Sequence, residues 1–348
     1  MSDDRRTEPT PCVRVPREEG EAARADLADR DLVDGDHEIT VADGRLHIPV
    51  TEPAAVPEGY DVVPHEVPVR EGQTLPVDVL GWSPTYERLG EVVILDEDDP
   101  ERPRAAADAV MASSIPAETV LNRASKVKGE TRVRDWDVLA GDGTEAVHRE
   151  YGCEFLVDIA EVYFSPRLAT ERHRVVEQVS ADDRAFDMFA GVGPFVVPAA
   201  KRGATCVAVD INPDAIRYLR ENARRNGVTD RVTAHAGDVR DVVSGSSGAG
   251  ASDGVRDAAP EYEGWASRIV MNLPHSADAF LDTAVRLAGD DCVLHYYDIQ
   301  HDSDPFGPGE RAIREAADGY DVTVEARREV RSYAPHELNV CLDARLSR

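Results

Sequence analysis

Apolar residues along this chain come in short runs punctuated by Gly, Pro and Asp, and the runs change character twice. From Cys12 to about Val56 they are brief: a helix is expected over 19–28, with strand-like alternation at 39–41 and 46–50. This pattern predicts a small α+β module ending in a breaker-rich linker at Pro53, Pro57 and Gly59. Between 60 and 165, runs of branched and aromatic residues at 91–95 and 154–158 predict strands. Ala106, Val110 and Met111 there share one side of a helix expected over 103–114, giving a second α+β domain. From 166 onward, strands at 184–189, 205–209, 231–235, 268–271, 292–296 and 322–325 alternate with helices over 194–202, 213–226, 277–288 and 309–317. Such alternation implies βαβ units and a mostly parallel, doubly wound sheet. The Gly/Ser/Ala/Asp-rich stretch 244–264 reads as a flexible surface insertion, too poor in apolar area to order itself.

Composition changes the picture in one respect. Acidic residues outnumber basic ones 67 to 39, a net charge of −28 on 348 residues, although 42% of the chain is hydrophobic. Only Lys126, Lys128 and Lys201 are lysines; the other basic residues are 36 arginines. This is the composition of a halophilic protein, whose self-repulsion is screened in concentrated salt. The charge argues at first against a nucleic-acid partner, but counterion release contributes little to RNA affinity at high salt. The acidity therefore reports the solvent, and the local exception becomes informative: Arg123, Lys126, Lys128, Arg132 and Arg134 stand together against Glu130 and Asp135. No run of 18 apolar residues and no signal peptide is present, so a cytoplasmic protein is expected. The five cysteines form no C-x-x-C pair, the histidines show no ligand spacing, and neither a disulfide framework nor a metal is expected.

The strongest local signal is Asp187-Met-Phe189-Ala-Gly191-Val-Gly193-Pro-Phe195, where glycines after a strand permit a tight turn and close approach of a ligand. Asp210, 23 residues after Asp187, ends the next strand, where a carboxylate can accept both ribose hydroxyls. Asp238 ends the third strand, in position to face an adenine amino group, with Ile211 and Val239 as flanking apolar contacts. A dinucleotide site needs a third glycine, but Pro194 and Phe195 follow here, and Asp187 repels a diphosphate. A nucleoside cofactor carrying a cationic sulfonium suits the pattern better, and the site resembles the S-adenosylmethionine site of class I methyltransferases.

Two further motifs sharpen that resemblance. Met271-Asn272-Leu273-Pro274-His275 follows the fourth strand, and Tyr163-Phe-Ser-Pro-Arg167-Leu-Ala-Thr-Glu171-Arg172 precedes the nucleotide fold. Their order around the glycine loop resembles the archaeal and eukaryotic tRNA (guanine-37-N1)-methyltransferases over roughly 85–348, with 1–58 resembling the small extra domain of archaeal members. The resemblance implies a tRNA-body domain at 1–58, an RNA-binding domain at 59–165 and a Rossmann-like methyltransferase domain at 166–348, acting as a monomer. It implies Glu171 as general base and Asn272 at the guanine edge and the cofactor. Tyr163 would pack against the base, and an arginine would stabilise O6: Arg132 or Arg134, with Arg149 as alternative. For RNA contact it points to Arg123, Lys126, Lys128, His148, Arg149 and Arg167. The chemistry agrees, because guanine N1 is a poor nucleophile until deprotonated and charge then collects on O6. Transfer of an aminocarboxypropyl group by the related wybutosine-pathway enzyme, and a non-catalytic tRNA-binding protein, are the alternatives.

Overall fold

In the computed structural model, residues 7–70, 73–97, 99, 101–125, 129, 131–245 and 262–348 are described. Lys126, Lys128 and most of the expected insertion, 246–261, lie outside them. The chain divides into two compact units, Met1–Leu75 and Pro76–Arg348.

In the first unit, β1 (Thr7–Pro16) is central and antiparallel to both β3 (Arg45–Pro49) and β4 (Asp61–Pro68), with β2 (Thr40–Ala42) beside β3 and helix α1 (Gly20–Asp29) following β1. Ala23 and Leu27 of α1 close a core with Val13, Val15 and Ile48. The unit runs past residue 58 because β4 pairs with β1 along Thr7↔Pro68 to Arg14↔Asp61. The prolines of β1 and β4 obscure this alternation in the sequence, which is why 53–59 looked like the end of the domain.

The second unit opens with α2 (Pro76–Leu80), β5 (Tyr86–Leu89), β6 (Val92–Leu95), α3 (Arg102–Ala112), β7 (Thr119–Arg123) and β8 (Trp136–Ala140), whose strands form a sheet in that order. Helix α3 buries Ala106, Ala107 and Val110, whereas Met111, expected on the same side, is exposed because residue 111 is rotated about 100° from Val110. A hairpin of β9 (Glu145–Glu150) and β10 (Cys153–Asp158) follows. One continuous core holds Leu89, Ile94 and Leu121 of this sheet, Phe155 and Val157 of the hairpin, and Val197, Ile216 and Leu219 further on. The expected boundary at 165 therefore cuts through a shared core.

Helix α4 (Ala169–Glu177) then leads into β11 (Arg184–Asp187), α5 (Val196–Lys201), β12 (Thr205–Asp210), α6 (Pro213–Arg225), β13 (Val232–Ala236), α7 (Val239–Ser244), β14 (Ala266–Met271), α8 (Leu281–Leu287), β15 (Ala288–His301), α9 (Gly307–Ala316), β16 (Asp321–Ala334) and β17 (Glu337–Ser347). The sheet order is β13-β12-β11-β14-β15-β17-β16, parallel through β15 and antiparallel at β17 and β16. Strand order reverses between β11 and β14, the place where doubly wound sheets open a crevice at their carboxyl ends. Both faces are covered, one core containing Val197, Ile216 and Leu219, the other Val239, Leu281 and Ile313. Among the described residues no helix is long and apolar enough to cross a membrane.

Asn222 of α6 is fully buried and works as a strut. Its Oδ1 accepts the Leu156 N–H at 2.7 Å, and its Nδ2 donates to Leu156 O at 3.1 Å and Val192 O at 3.0 Å. One side chain thus joins the β9–β10 hairpin to the glycine loop, while Asn226 and Gly227 (φ +69°) form the helix end itself. Asn222→Ala strands two carbonyls and an amide, and is expected to cost about 2–4 kcal/mol in denaturant unfolding. For the first unit, a chain beginning at residue 76 is expected to stay monodisperse in size exclusion. One beginning at 59 keeps β4 without its partner and is expected to associate.

Candidate active site

The carboxyl ends of β11, β12 and β14 open into a cavity of about 500 Å³. Its floor is the turn after β11, where Gly191 (φ +52°) and Gly193 (φ +87°) adopt left-handed backbone. A Cβ on Gly193 would stand 3.0 Å from Leu219 of α6, so the turn can lie this close to the helix only with glycine there. Asp210 fixes the turn: Oδ2 accepts the Gly191 N–H at 2.7 Å and Oδ1 the Asn212 N–H at 2.8 Å. Each oxygen keeps a second lone pair, so the carboxylate can still receive two hydroxyls. Burial raises the Asp210 pKa despite these two opposing bonds.

Phe189, Gly191, Phe195, Ile211, Asp238, Val239 and Asn272 line the same cavity. Asp238 caps α7, its Oδ1 accepting the Arg240 N–H, and its carboxylate pairs with the Arg240 side chain at 2.5 Å. That hydrogen bond, opposed by partial burial, holds its carboxyl below the usual range. Two acids at successive strand ends, apolar walls and a bent glycine turn suit the adenosine of a sulfonium cofactor. Asp187 lies behind this wall: it is buried and does not line the cavity. Its Oδ1 accepts the Phe189 N–H at 3.2 Å and its Oδ2 has no partner. Burial, opposed by that N–H and reinforced by Asp210, pushes its pKa up to about 7.

The opposite wall carries the residues expected to meet the target. Arg132, in left-handed backbone (φ +56°), places its guanidinium 4.9 Å from the Tyr163 ring centre, and both line the cavity. A non-glycine residue held in this conformation stores strain of the kind found at ligand clamps. Asn272 stands in a turn secured by Ser276 N–H to Leu273 O and Ile299 N–H to Pro274 O, both 3.0 Å. Sequence reasoning missed His275, Arg331, Tyr333 and Asn339, which also line the cavity. His275 Nε2 and the Tyr333 hydroxyl are 3.0 Å apart, and Asn339 is buried with its Oδ1 unpartnered. Only the antiparallel return of β16 and β17 brings Arg331, Tyr333 and Asn339 here, and nothing local in the chain signals it.

Several expected residues lie elsewhere. Glu171 is buried outside the cavity lining: Arg174 grips its carboxylate at 2.7 and 2.9 Å, and the Tyr297 hydroxyl donates to Oε1 at 2.9 Å. The chain of contacts continues from Arg174 to Asp343 (2.5 Å), His295 (2.7 Å) and Arg268 (2.8 Å). Burial pushes Asp343 up, but the bonds from His295 and Arg174 outweigh it and hold its carboxyl well below the usual range. Arg134 stacks on Trp136 in a neighbouring cavity with Arg123 and Arg167. Arg149 is exposed and paired with Glu154 at 3.0 Å, so it is no alternative to Arg132 in this arrangement. His148 is spent on Glu150 at 3.1 Å and packs edge-on against Phe164. All five cysteines are free and buried.

A parallel sheet with β17 inserted antiparallel before β16, and a cofactor cavity at its switch point, defines a class I methyltransferase. The family model of the TRM5/TYW2 methyltransferase domain matches residues 146–325, and that of the tRNA methyltransferase 5 N-terminal domain matches 12–58; the chain belongs to this family. It is 36% identical to the tRNA (guanine(37)-N(1))-methyltransferase Trm5b of Pyrococcus abyssi, over 97% of this chain and 99% of that one. The structure titled as the complex of aTrm5 and tRNALeu is similar at a TM-score of 0.67 and 30% identity, covering 97% of this chain and 100% of that one. The tRNA(Phe) (4-demethylwyosine(37)-C(7)) aminocarboxypropyltransferase of Pyrococcus horikoshii is 31% identical over 75% of this chain and 88% of its own.

The Asp187 environment gives a pH test. The folded state keeps a proton that the unfolded chain releases near pH 3.8, so stability falls as pH rises from about 4 and the loss is complete above about 7. Asp187→Asn keeps the acceptor for Phe189 and removes the ionisation. It is expected to gain about 2–4 kcal/mol over the parent at pH 8 and nothing at pH 4, in urea unfolding of the two proteins.

Proposed function

We propose that this protein transfers the methyl group of S-adenosylmethionine to N1 of guanosine 37 in tRNA. The observation that carries this reading is the convergence of Arg132 and Tyr163 with Asn272 and the Gly191 turn around one cavity. When bound, S-adenosylmethionine supplies an electrophilic methyl group. Asp210 receives the ribose hydroxyls, Asp238 the adenine amino group, and Ile211 and Val239 flank the adenine. Asn272 holds the guanine edge, and Arg132 neutralises the charge that gathers on O6 as N1 loses its proton. Tyr163 braces Arg132 by cation–π contact, fixing the guanidinium before the base arrives.

Glu171 accepts the N1 proton. Its motif position supports this, as do Leu168, which caps α4, and Arg172 on α4, both of which line the cavity. The role requires Arg174 to loosen its hold, and Asp343 already shares that guanidinium. Asp187 supports the glycine turn from behind, its Oδ1 accepting the Phe189 N–H. The five reduced, buried cysteines suit the cytoplasm, and the excess of acids over lysines suits concentrated salt.

Full-length similarity, first unit included, favours methyl transfer over aminocarboxypropyl transfer. Incubation with labelled S-adenosylmethionine and transcripts bearing G37 or A37, in molar KCl, decides it. N1-methylguanosine from the G37 transcript alone is expected; an aminocarboxypropyl nucleoside, or no transfer, overturns the reading. Glu171→Gln is expected to slow single-turnover methylation at least about 100-fold with cofactor affinity kept. A near-normal rate means that another group takes the proton.

A further inference from the structure

Beside the reactive cavity lies a second one of about 190 Å³, and its lining departs from the chemistry of the rest of the chain. Arg123, Arg132, Arg134, Arg167 and Arg331 face it, against a single acid, Glu87. Both Arg123 and Arg167 pair with Glu87, and Arg123 also pairs with Asp96. Among the described residues no carboxylate comes within ion-pair distance of Arg132, Arg134 or Arg331. The Nε atoms of Arg123 and Arg331 are buried without a hydrogen-bond partner. Burial, and next to it the charge of Arg123, pulls the Arg134 guanidinium below its ordinary value. A protein with 28 more acids than bases has here collected cations and left them short of counter-charge.

The position of this cavity names its ligand. It shares Arg132, Tyr163, Phe164, Ser165 and Arg331 with the reactive cavity, so the two adjoin along one wall. Irregular register in β16 on both sides of Arg331, at Glu329/Arg331 and at Ser332/Ala334, re-aims this part of the strand, and both Arg331 and Tyr333 line the reactive cavity. In any nucleotide the phosphate lies one ribose away from the base. We propose that the second cavity holds a phosphodiester flanking the guanosine whose base enters the first, with Arg331 and Arg134 as its principal donors. Planar guanidinium forks match the paired oxygens of a phosphate. Glu87 gathers Arg123 and Arg167 on one carboxylate oxygen beside the site. This proposal rests on the tRNA-methylating reading and adds to it the anchor that presents the extruded base.

Neutral linkages test it. G37 transcripts carrying one methylphosphonate, placed in turn at each phosphate from 35 to 39, are methylated by the parent, by Arg331→Gln and by Arg134→Gln. At one linkage adjoining guanosine 37 the parent is expected to lose about tenfold or more in single-turnover kcat/KM. Each variant is expected to lose a similar factor on the unmodified transcript and almost nothing further at that linkage, with Arg331→Lys recovering part of the loss. If Arg331→Gln does not fold, Arg134→Gln alone carries the cycle. Equal losses for parent and variants at every linkage, or no loss in the parent at any, overturn the phosphate site. A parent that makes no N1-methylguanosine from unmodified transcript fails the functional reading instead.

Discussion

The arrangement depends on a knot of hydrogen bonds at the end of β12. Asp210 takes the backbone of Gly191 on one oxygen and of Asn212 on the other. Asn212 then accepts the Asp214 N–H at 3.0 Å as the cap of α6 and donates to Glu161 O at 2.9 Å, two residues before Tyr163. Three segments are fixed by two side chains, the half-buried Asp210 and the buried Asn212: the cofactor turn, the first turn of α6, and the strand-to-helix stretch bearing Tyr163. Since Tyr163 carries Arg132 on its ring, the target wall of the cavity is referenced to the same knot. Partly buried polar networks are costly when incomplete, so a fully paired one enforces a single geometry.

Beneath the cavity, charge is arranged in two regimes. Glu171, Asp343, His295 and Arg268, all buried, and the half-buried Arg174 form a line in which each charge has a neighbour of opposite sign or a hydrogen bond. Burial lowers the His295 pKa against the pull of Asp343. On the other side, around Arg331 and Arg134, cations outnumber carboxylates. A net charge of −28 offers RNA no long-range attraction, so short-range arginine forks and ring contacts have to supply recognition.

Much of this was legible in the sequence, for identifiable reasons. The βαβ alternation, the glycine turn and the acids closing β12 and β13 are local patterns, so the parallel core and the cofactor wall could be placed from them. Tyr163 and Asn272 met in one cavity because motif order fixed their segments, whereas Arg132 stood in a basic island where spacing left Arg134 and Arg149 equally open. Glu171 lies outside the cavity lining with its carboxylate held by Arg174, one turn on, and spacing cannot tell which side of α4 faces the cavity. Arg134, two residues from Arg132, alternates to the adjoining cavity. Residues on β16 and β17 were missed because long-range antiparallel pairing, with its bulges, leaves no nearby signature. The first unit ran longer than its linker suggested because prolines masked β1 and β4.

The most direct test of the account is the cofactor affinity and single-turnover rate of Asn212→Ala, read in the folded protein. If one knot sets both walls, losing the links to α6 and to Glu161 weakens S-adenosylmethionine binding and slows methylation of G37 tRNA together, each by about tenfold or more. A variant with lowered stability but unchanged affinity and rate would contradict it.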